Sequence, residues 1–296
     1  MHKIQKEQVI GEMAATALRL EAAVTPKPGL VDRENSGAHT DMDYPLFLVS
    51  ADALKPYFAE CAEMGTACGT VCGEQIFSLY AKKLREAGIE AERHMFKATG
   101  GVNTHKGMVF SMGILCFCLG YLSEKLNLST AEIGQQSLQN HCGSLAAILF
   151  GEVLKNKDET HGEEVLRKTG IRGIREEALS GFDSAFSLGL SALKRARSMG
   201  LSPNDSMVYT LLYLMTEVED SNVVYRGGTD GLALLQKRAA DIIGRDDLTE
   251  ECWLQMVREF DKECITLNLS AGGCADMLAM SIMLYMIFED YQWLLN

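Results

Sequence analysis

Proline is scarce in this sequence, at only five of 296 residues, and sustained strand-like alternation of polar and apolar residues is missing. Because proline removes a helical hydrogen-bond donor and clashes with the preceding turn, long stretches without it leave helices uninterrupted. Apolar residues recur instead at helical spacing, as at Ile10, Met13, Ala14, Ala17 and Leu18. We therefore predict an all-α fold.

A basic surface is also lacking, because 28 Lys and Arg residues stand against 40 Asp and Glu residues, for a net charge of −12. Nucleic acids and anionic membranes attract basic faces, so this charge argues against both as partners. An acidic protein can still bind a nucleotide if local cations, backbone N–H groups and a divalent metal neutralise the phosphates.

No signal peptide or membrane span is recognisable. The first residues, MHKIQKEQVIGEM, are charged and amphipathic, without an apolar core. The most apolar stretch, residues 108–122, is shorter than the about 20 residues that cross a bilayer, so we predict a buried core helix.

The nine cysteines match no zinc-ligand spacing, even at Cys61, Cys68 and Cys72. We interpret them as reduced and buried, and expect a cytoplasmic protein.

The length allows either one large domain or two smaller ones. The only candidate linker, residues 155–170, is polar and charged but lacks the length and low complexity of an interdomain tether. No internal repeat is present, so we predict a single domain over residues 1–296. Residues 277–288 are apolar nearly all round, which predicts burial against several neighbours and leaves room for a homodimer.

Residues 25–43, TPKPGLVDRENSGAHTDMD, interrupt the helical pattern with prolines, glycines and charges. Lys27, Asp32, Arg33 and His39 lie here, with little that would anchor a core. The segment fits a surface loop in which Asp32 caps a following turn, and it fits a functional site on a loop. The residues alone leave both readings open.

Residues 98–107, ATGGVNTHKG, precede the apolar core helix. The paired glycines permit positive φ and close ligand approach, and the start of the helix offers free N–H groups to an anion. Lys106 adds a cation suited to phosphate, although the spacing is not that of a Walker loop. A glycine-rich turn capped by Asn103 or Thr104 explains the segment equally well.

Three further segments carry polar clusters. GIREEALSGF includes Arg175 and fits a solvated helix start, EVEDSNVVYRGG includes Asp220 and Arg226 and is expected to close a helix, and NLSAGGCAD includes Asp276. A carboxylate at a helix start needs no further explanation, because it favours the positive dipole end. The helix that Asp276 opens is strongly apolar, however, so we expect this carboxylate to have a task.

Taken in order, these five segments resemble the motifs of the triphosphoribosyl-dephospho-CoA synthase family. The resemblance covers roughly residues 13–284, with PKPGLVDRENSGAHTDM and TGGVNTHKG as its most specific parts. The sequence departs from the expected pattern at Glu176, Glu219, Tyr225 and Ala271, where glycine, aspartate, histidine and proline are common. These departures concern substrate preference more than reaction class.

The resemblance implies that the 5-triphosphoribosyl group of ATP moves to the 2′-hydroxyl of 3′-dephospho-CoA with release of adenine. The product would pass to a holo-acyl-carrier-protein synthase that serves citrate lyase or malonate decarboxylase. Cleavage of the ribosyl–adenine bond builds positive charge at C1′, so nearby anionic groups would help. A base should take the proton of the attacking hydroxyl, and Mg²⁺ with Lys and Arg should neutralise the triphosphate.

Under this resemblance, the candidates for proton transfer are Asp32, His39 and His105, and the candidate Mg²⁺ ligands are Asp32, Asp220 and Asp276. The candidate ATP-binding residues are Lys27, Arg33, Gly100, Gly101, Asn103, Thr104, Lys106, Arg175 and Arg226. The sequence does not decide which carboxylate is the base and which binds metal.

Two other functions fit the same sequence. A magnesium-dependent ADP-ribosyl glycohydrolase-like hydrolase would use water as acceptor and give free ribose triphosphate. A helical assembly partner of lyase or decarboxylase subunits would have no catalytic site, and tight magnesium-dependent ATP binding would argue against it. The sequence does not distinguish citrate lyase from malonate decarboxylase as the destination of the product.

Overall fold

The computed structural model describes residues 6–71, 74–127, 129–153, 167, 169–171, 173–245 and 249–295. Within these ranges the chain is 78% helical and has no strand, which confirms the all-α prediction. The α-helices are α1 (Lys6–Ala23), α2 (Tyr44–Gly69), α3 (Glu74–Ala98), α4 (Lys106–Leu126), α5 (Gln135–Val153), α6 (Ile174–Leu179), α7 (Leu190–Ser198), α8 (Pro203–Glu217), α9 (Ser221–Ile243), α10 (Glu250–Thr266), α11 (Gly272–Phe288) and α12 (Tyr291–Leu294). A 3-10 turn covers Thr130–Glu132, and a π-helix covers Ser184–Gly189 directly before α7.

Helix α4 is the core helix that the sequence predicts over residues 108–122. Every residue from Met108 to Ser123 except Phe110 is buried, and α4 packs on α2, α3 and α5. Among the described helices it is the one long and apolar enough to cross a membrane, and 83% of its most apolar window is buried inside the protein. The apolar character of α4 therefore serves internal packing.

The predicted burial of residues 277–288 is also confirmed. Residues 277–287 of α11 are buried, and this helix packs against α1, α8 and the π-helix. The buried apolar side chains of the described residues join into one hydrophobic cluster that extends from Ile10 to Leu294. Two apolar helices thus hold the glycine-rich segments that precede them, residues 98–107 and 268–276, on a rigid core.

Eight cysteines lie in the described residues, all of them as free thiols, and seven are buried. Burial raises the pKa of thiols such as Cys61, Cys116 and Cys274 above the usual range, so they remain protonated and inert. Their interpretation as small buried hydrophobic side chains is confirmed for these seven. Cys72 and most of the candidate linker 155–170 lie outside the described residues.

Candidate active site

The loop between α1 and α2 is organised by the carboxylate of Asp32, which is only 2% exposed. One carboxylate oxygen accepts hydrogen bonds from the backbone N–H groups of Glu34 and Asn35, at 2.7 and 2.9 Å. The other oxygen accepts from the backbone N–H of Lys27 at 2.9 Å. Asp32 therefore holds the loop in shape, and most of its acceptor capacity is already used.

Lys27 is buried, with 1% of its surface exposed. Its ammonium group donates to a carboxylate oxygen of Glu21 at 2.6 Å and to the backbone carbonyl of the same residue at 2.9 Å. The predicted phosphate-binding cation is thus partly neutralised by a partner at the end of α1. Glu21 was not predicted as a site residue, although a carboxylate on the apolar face of α1 is the signal that marks it.

His39, Arg226 and Ser270 meet, although they come from three separate segments. The Nε2 atom of His39 lies 2.9 Å from the hydroxyl of Ser270, and its Nδ1 atom lies 3.4 Å from a guanidinium nitrogen of Arg226. Because guanidinium only donates, Nδ1 accepts and Nε2 carries the proton. Burial and the charge of Arg226 lower the pKa of His39. Arg226 also donates to the carbonyl of Ala38 at 2.9 Å and so fixes the loop to α9.

Asp220 joins two further motifs. It begins α9 as its N-cap, whereas the sequence predicted that this segment closes the preceding helix. One oxygen accepts from the backbone N–H of Asn222 at 2.8 Å, and the other from that of Cys274 at 2.9 Å. Burial raises the pKa of Asp220 despite these hydrogen bonds. The start of α11 is therefore fixed to the start of α9 by a buried carboxylate.

Asp276 lies one turn after Gly272, the first residue of α11. Its carboxylate points at Gly107 at the start of α4. Among the described residues, none forms a hydrogen bond or an ion pair with this carboxylate. Burial, together with the negative charges of Glu21 and Asp220, raises the pKa of Asp276 well above its usual range. A carboxylate that lacks such a partner and has a raised pKa is typical of a functional group.

Residues 98–107 form a capped turn between α3 and α4. The hydroxyl of Thr99 donates to backbone carbonyls at the end of α3, and Gly100 and Gly101 have φ values of 66° and 93°, which an L side chain rarely adopts. Asn103 accepts from the backbone N–H of Lys106 at 3.3 Å. The turn interpretation is therefore correct in geometry, and it leaves both glycines open to solvent.

The ring of His105 lies beneath this turn and is 3% exposed. Its Nδ1 atom is 2.8 Å from the hydroxyl of Ser50 on α2, and its Nε2 atom is buried without a hydrogen-bond partner among the described residues. Burial and the nearby charge of Lys27 lower the pKa of His105 to about 3. His105 is therefore neutral at physiological pH, and its role in proton transfer stays a prediction.

The remaining predicted cations lie in different surroundings. Lys106 extends from the start of α4, is 54% exposed, and reaches Glu92 at 3.4 Å. The guanidinium of Arg33 lies 5.9 Å from the ring centre of Tyr44. The guanidinium of Arg175 lies 4.8 Å from the ring centre of Phe150 on α5. The positions of Arg33 and Arg175 beside aromatic rings give no direct support to a role in phosphate binding.

A second unpredicted carboxylate, Glu177, lies near the start of α11, where its charge contributes to the raised pKa of Cys274. It accepts from the backbone N–H of Ser184 at 2.7 Å and from the hydroxyl of the same residue at 2.9 Å. Ser184 begins the π-helix, a conformation that is frequent at functional sites. The spacing of this acid in the sequence is typical of a solvated helix start and gives no sign of burial.

Within the described residues, no three His, Cys, Asp or Glu side chains gather as a preformed metal site. The predicted ligand set of Asp32, Asp220 and Asp276 is thus not assembled in advance. Mg²⁺ in nucleotide sites is commonly held by one or two carboxylates together with substrate phosphates. Burial raises the pKa of Asp220, and burial together with the negative charges of Glu21 and Asp220 raises the pKa of Asp276. A cation beside either carboxylate would favour its charged form, so these two residues fit Mg²⁺ of that kind.

Comparison with known proteins gives a consistent result over nearly the whole chain. A family model described as ATP:dephospho-CoA triphosphoribosyl transferase matches residues 7–294. The 2-(5″-triphosphoribosyl)-3′-dephosphocoenzyme-A synthase of Pectobacterium atrosepticum is 38% identical over 282 residues, or 93% of this chain and 88% of that protein. The synthase of the same name from Haemophilus ducreyi is 35% identical over 288 residues, or 92% of this chain and 86% of that protein.

A longer relative, Protein CitXG of Haemophilus influenzae, is 37% identical over 281 residues, which cover 92% of this chain and 59% of that protein. No solved structure matches this chain. All five motifs of the candidate site lie inside the matched range.

Proposed function

This chain belongs to the ATP:dephospho-CoA triphosphoribosyl transferase family, and we propose that it transfers the 5-triphosphoribosyl group of ATP to the 2′-hydroxyl of 3′-dephospho-CoA. The observation that carries this proposal is the family match over residues 7–294, together with the carboxylates of Asp220 and Asp276 where its motifs meet. In the reaction the acceptor oxygen bonds to C1′, the bond from C1′ to adenine breaks, and adenine leaves with that electron pair. The proton of the hydroxyl goes to a base, and adenine is protonated.

We assign the base to Asp276. Both carboxylate oxygens of Asp32 accept hydrogen bonds from backbone N–H groups, whereas the carboxylate of Asp276 has no hydrogen-bond partner among the described residues. A base works best when its pKa lies near the operating pH, and the surroundings of Asp276 raise its pKa in that direction. The negative charges of Glu21 and Asp220 would also favour the positive charge that develops at C1′.

The triphosphate requires compensation of its charge. Lys106 at the exposed start of α4 and the free backbone N–H groups of that helix suit a phosphate group. Asp220 would supply a carboxylate oxygen to Mg²⁺, which would neutralise the phosphates when ATP binds. Activity should vanish when EDTA is added and return with Mg²⁺, and full turnover in EDTA would contradict this part of the proposal.

We further propose that the enzyme works in the cytoplasm and passes its product to a holo-acyl-carrier-protein synthase. Free thiols are usual in the reducing cytosol, and those described here are unpaired. The prosthetic group would then reach citrate lyase or malonate decarboxylase.

The direct test is whether adenine release depends on the acceptor. With ATP and Mg²⁺, adenine should appear only when 3′-dephospho-CoA is present, and the 2′-deoxy analogue of the acceptor should not support release. Equal release in the absence of any acceptor would instead identify a hydrolase.

A further inference from the structure

A chain of hydroxyl groups ends on the ring of His105. The hydroxyls of Thr104 and Ser50 are hydrogen-bonded at 2.6 Å, and the hydroxyl of Ser50 lies 2.8 Å from Nδ1 of His105. Ser50 is fully buried on α2. Thr104 and His105, at the two ends of this hydrogen-bond series, come from the turn before α4. Ser50, between them, comes from a helix more than fifty residues earlier.

The tautomer of the ring depends on the direction of these hydrogen bonds, because each hydroxyl can both donate and accept. With Thr104 as the donor to Ser50, the proton of Ser50 goes to Nδ1 of His105, which then acts as acceptor. In a neutral imidazole the other nitrogen then carries the hydrogen. In this tautomer Nε2 is a buried N–H donor that has no hydrogen-bond partner among the described residues.

A buried donor without a partner is costly, and at a functional site it is commonly satisfied by a ligand. The ring stays neutral, because burial and the charge of Lys27 lower the pKa of His105 to about 3. A neutral ring is poorly suited to hold phosphate, which calls for a cation. An N–H group of this kind suits an uncharged acceptor that gains negative charge during reaction.

We propose that Ser50 and Thr104 are positioning residues that hold His105 as the Nε2–H tautomer, and that this N–H donates to a ring nitrogen of the adenine of ATP. This inference rests on the function proposed above. When the bond to C1′ breaks, the electron pair passes into the purine and its ring nitrogens become better acceptors. A fixed donor aimed at that charge lowers the barrier without itself changing its protonation state.

The tautomer can be measured without any turnover, by ¹⁵N NMR of protein labelled at its histidines. In the wild type, Nε2 of His105 should show the signature of a protonated nitrogen and Nδ1 that of an unprotonated one. Ser50→Ala and Thr104→Val should shift this balance, whereas Thr104→Ser keeps the hydroxyl and should not. Ser111→Ala is the matched control, because Ser111 is a buried serine whose hydroxyl has no partner. A protonated Nδ1 in the wild type would overturn the proposal.

The role of the donor is tested by two substitutions at the same position. Glutamine places a neutral N–H near the position of Nε2, whereas alanine removes it. His105→Ala should lower kcat ~10²-fold, the usual size of the loss of one such donor, while His105→Gln should keep most of the activity. The KM for ATP should change much less than kcat. Equal loss in both variants, with intact helical circular dichroism, would overturn the donor role.

ATP analogues identify the acceptor atom. With 1-deaza-ATP, 3-deaza-ATP or 7-deaza-ATP, the analogue that lacks the accepting nitrogen should react slowly and should no longer distinguish His105→Gln from His105→Ala. If all three analogues distinguish the two variants as strongly as ATP does, the contact to adenine is wrong. A wild-type enzyme that transfers no triphosphoribosyl group would instead refute the proposed function, and it would leave the NMR result unaffected.

Discussion

The carboxylate of Asp276 lies so close to Gly107 that a Cβ atom at position 107 would collide with it. The two residues belong to different motifs, since Gly107 lies in the first turn of α4 and Asp276 in α11. This contact brings the carboxylate of Asp276, which has no hydrogen-bond partner among the described residues, to the helix start that carries Lys106 and follows His105. The candidate site is therefore built on the ends of the two most apolar helices.

Gly107→Ala tests this contact. The colliding atoms belong to the end of a side chain, so Asp276 should turn aside and the fold should survive. We expect kcat to fall about 10²-fold, since displacement of a catalytic group by about 1 Å has effects of that size. Thermal unfolding should barely change. Gly151→Ala is the matched control, because Gly151 lies in α5 with open space around it. Equal kcat in both variants would exclude a catalytic role for the contact.

Asp276→Asn should reduce kcat ~10²-fold or more while ATP still binds, because it removes the base and leaves the shape. The same change should stabilise the protein at neutral pH. The pKa of Asp276 in the folded protein is raised above the usual aspartate pKa of about 4. The free energy of unfolding of the wild type therefore falls as the pH rises from about 4 through the raised pKa. Below that range both proteins carry an uncharged side chain and should have similar stability.

Urea unfolding of the wild type and of Asp276→Asn at several pH values measures this difference. The variant should become relatively more stable as pH rises, by more than the about 0.5 kcal/mol typical of surface substitutions. A variant that is less stable at neutral pH would show that Asp276 has a structural partner. A large increase in the Mg²⁺ concentration needed for ATP binding would assign it as a metal ligand.

Asp32→Asn should act mainly on the loop. One of the two oxygens becomes an NH₂ group that faces a backbone donor, so at least one charge-assisted hydrogen bond is lost. Such bonds contribute about 1.5–3 kcal/mol, and the melting temperature should fall accordingly. Asp41→Asn, on the exposed part of the same loop, is the control and should leave it unchanged. Loss of turnover with an unchanged melting temperature would instead show a direct catalytic role for Asp32.

Lys106→Ala should raise the KM for ATP ~10-fold or more, as expected for the loss of a charge-assisted phosphate contact, and should leave the KM for 3′-dephospho-CoA unchanged. Lys97→Ala removes an exposed lysine from the last turn of α3 and serves as the control. An unchanged KM for ATP in Lys106→Ala would mean that the ion pair with Glu92 is the only role of this side chain.

The helical period predicted the fold because α4 and α11 are apolar over most of their length and tolerate no other placement than the core. The glycine-rich turn was also predictable, since Gly100 and Gly101 require positive φ. The family resemblance located the motifs, and the comparisons confirm the family. These features depend on local sequence, which a single chain reveals directly.

The partners of the site residues were not predictable in the same way. Lys27 appears in the sequence as a free cation, yet it is buried against Glu21 on the preceding helix. Asp32 looked equally suited to a cap, a base or a metal ligand, and only the three backbone N–H groups around it reveal the loop-holding role. Nothing in the sequence around Ser50 indicates a role at the site. Its partner His105 lies in another motif, and the contact depends on how α2 packs on α4.

The most direct test is mass spectrometry of the products after incubation with ATP, Mg²⁺ and 3′-dephospho-CoA. We predict equimolar adenine and a single new product in which dephospho-CoA carries one triphosphoribosyl group, with no adduct on the protein. Free ribose triphosphate with unchanged dephospho-CoA would contradict the transferase function, and so would the absence of adenine.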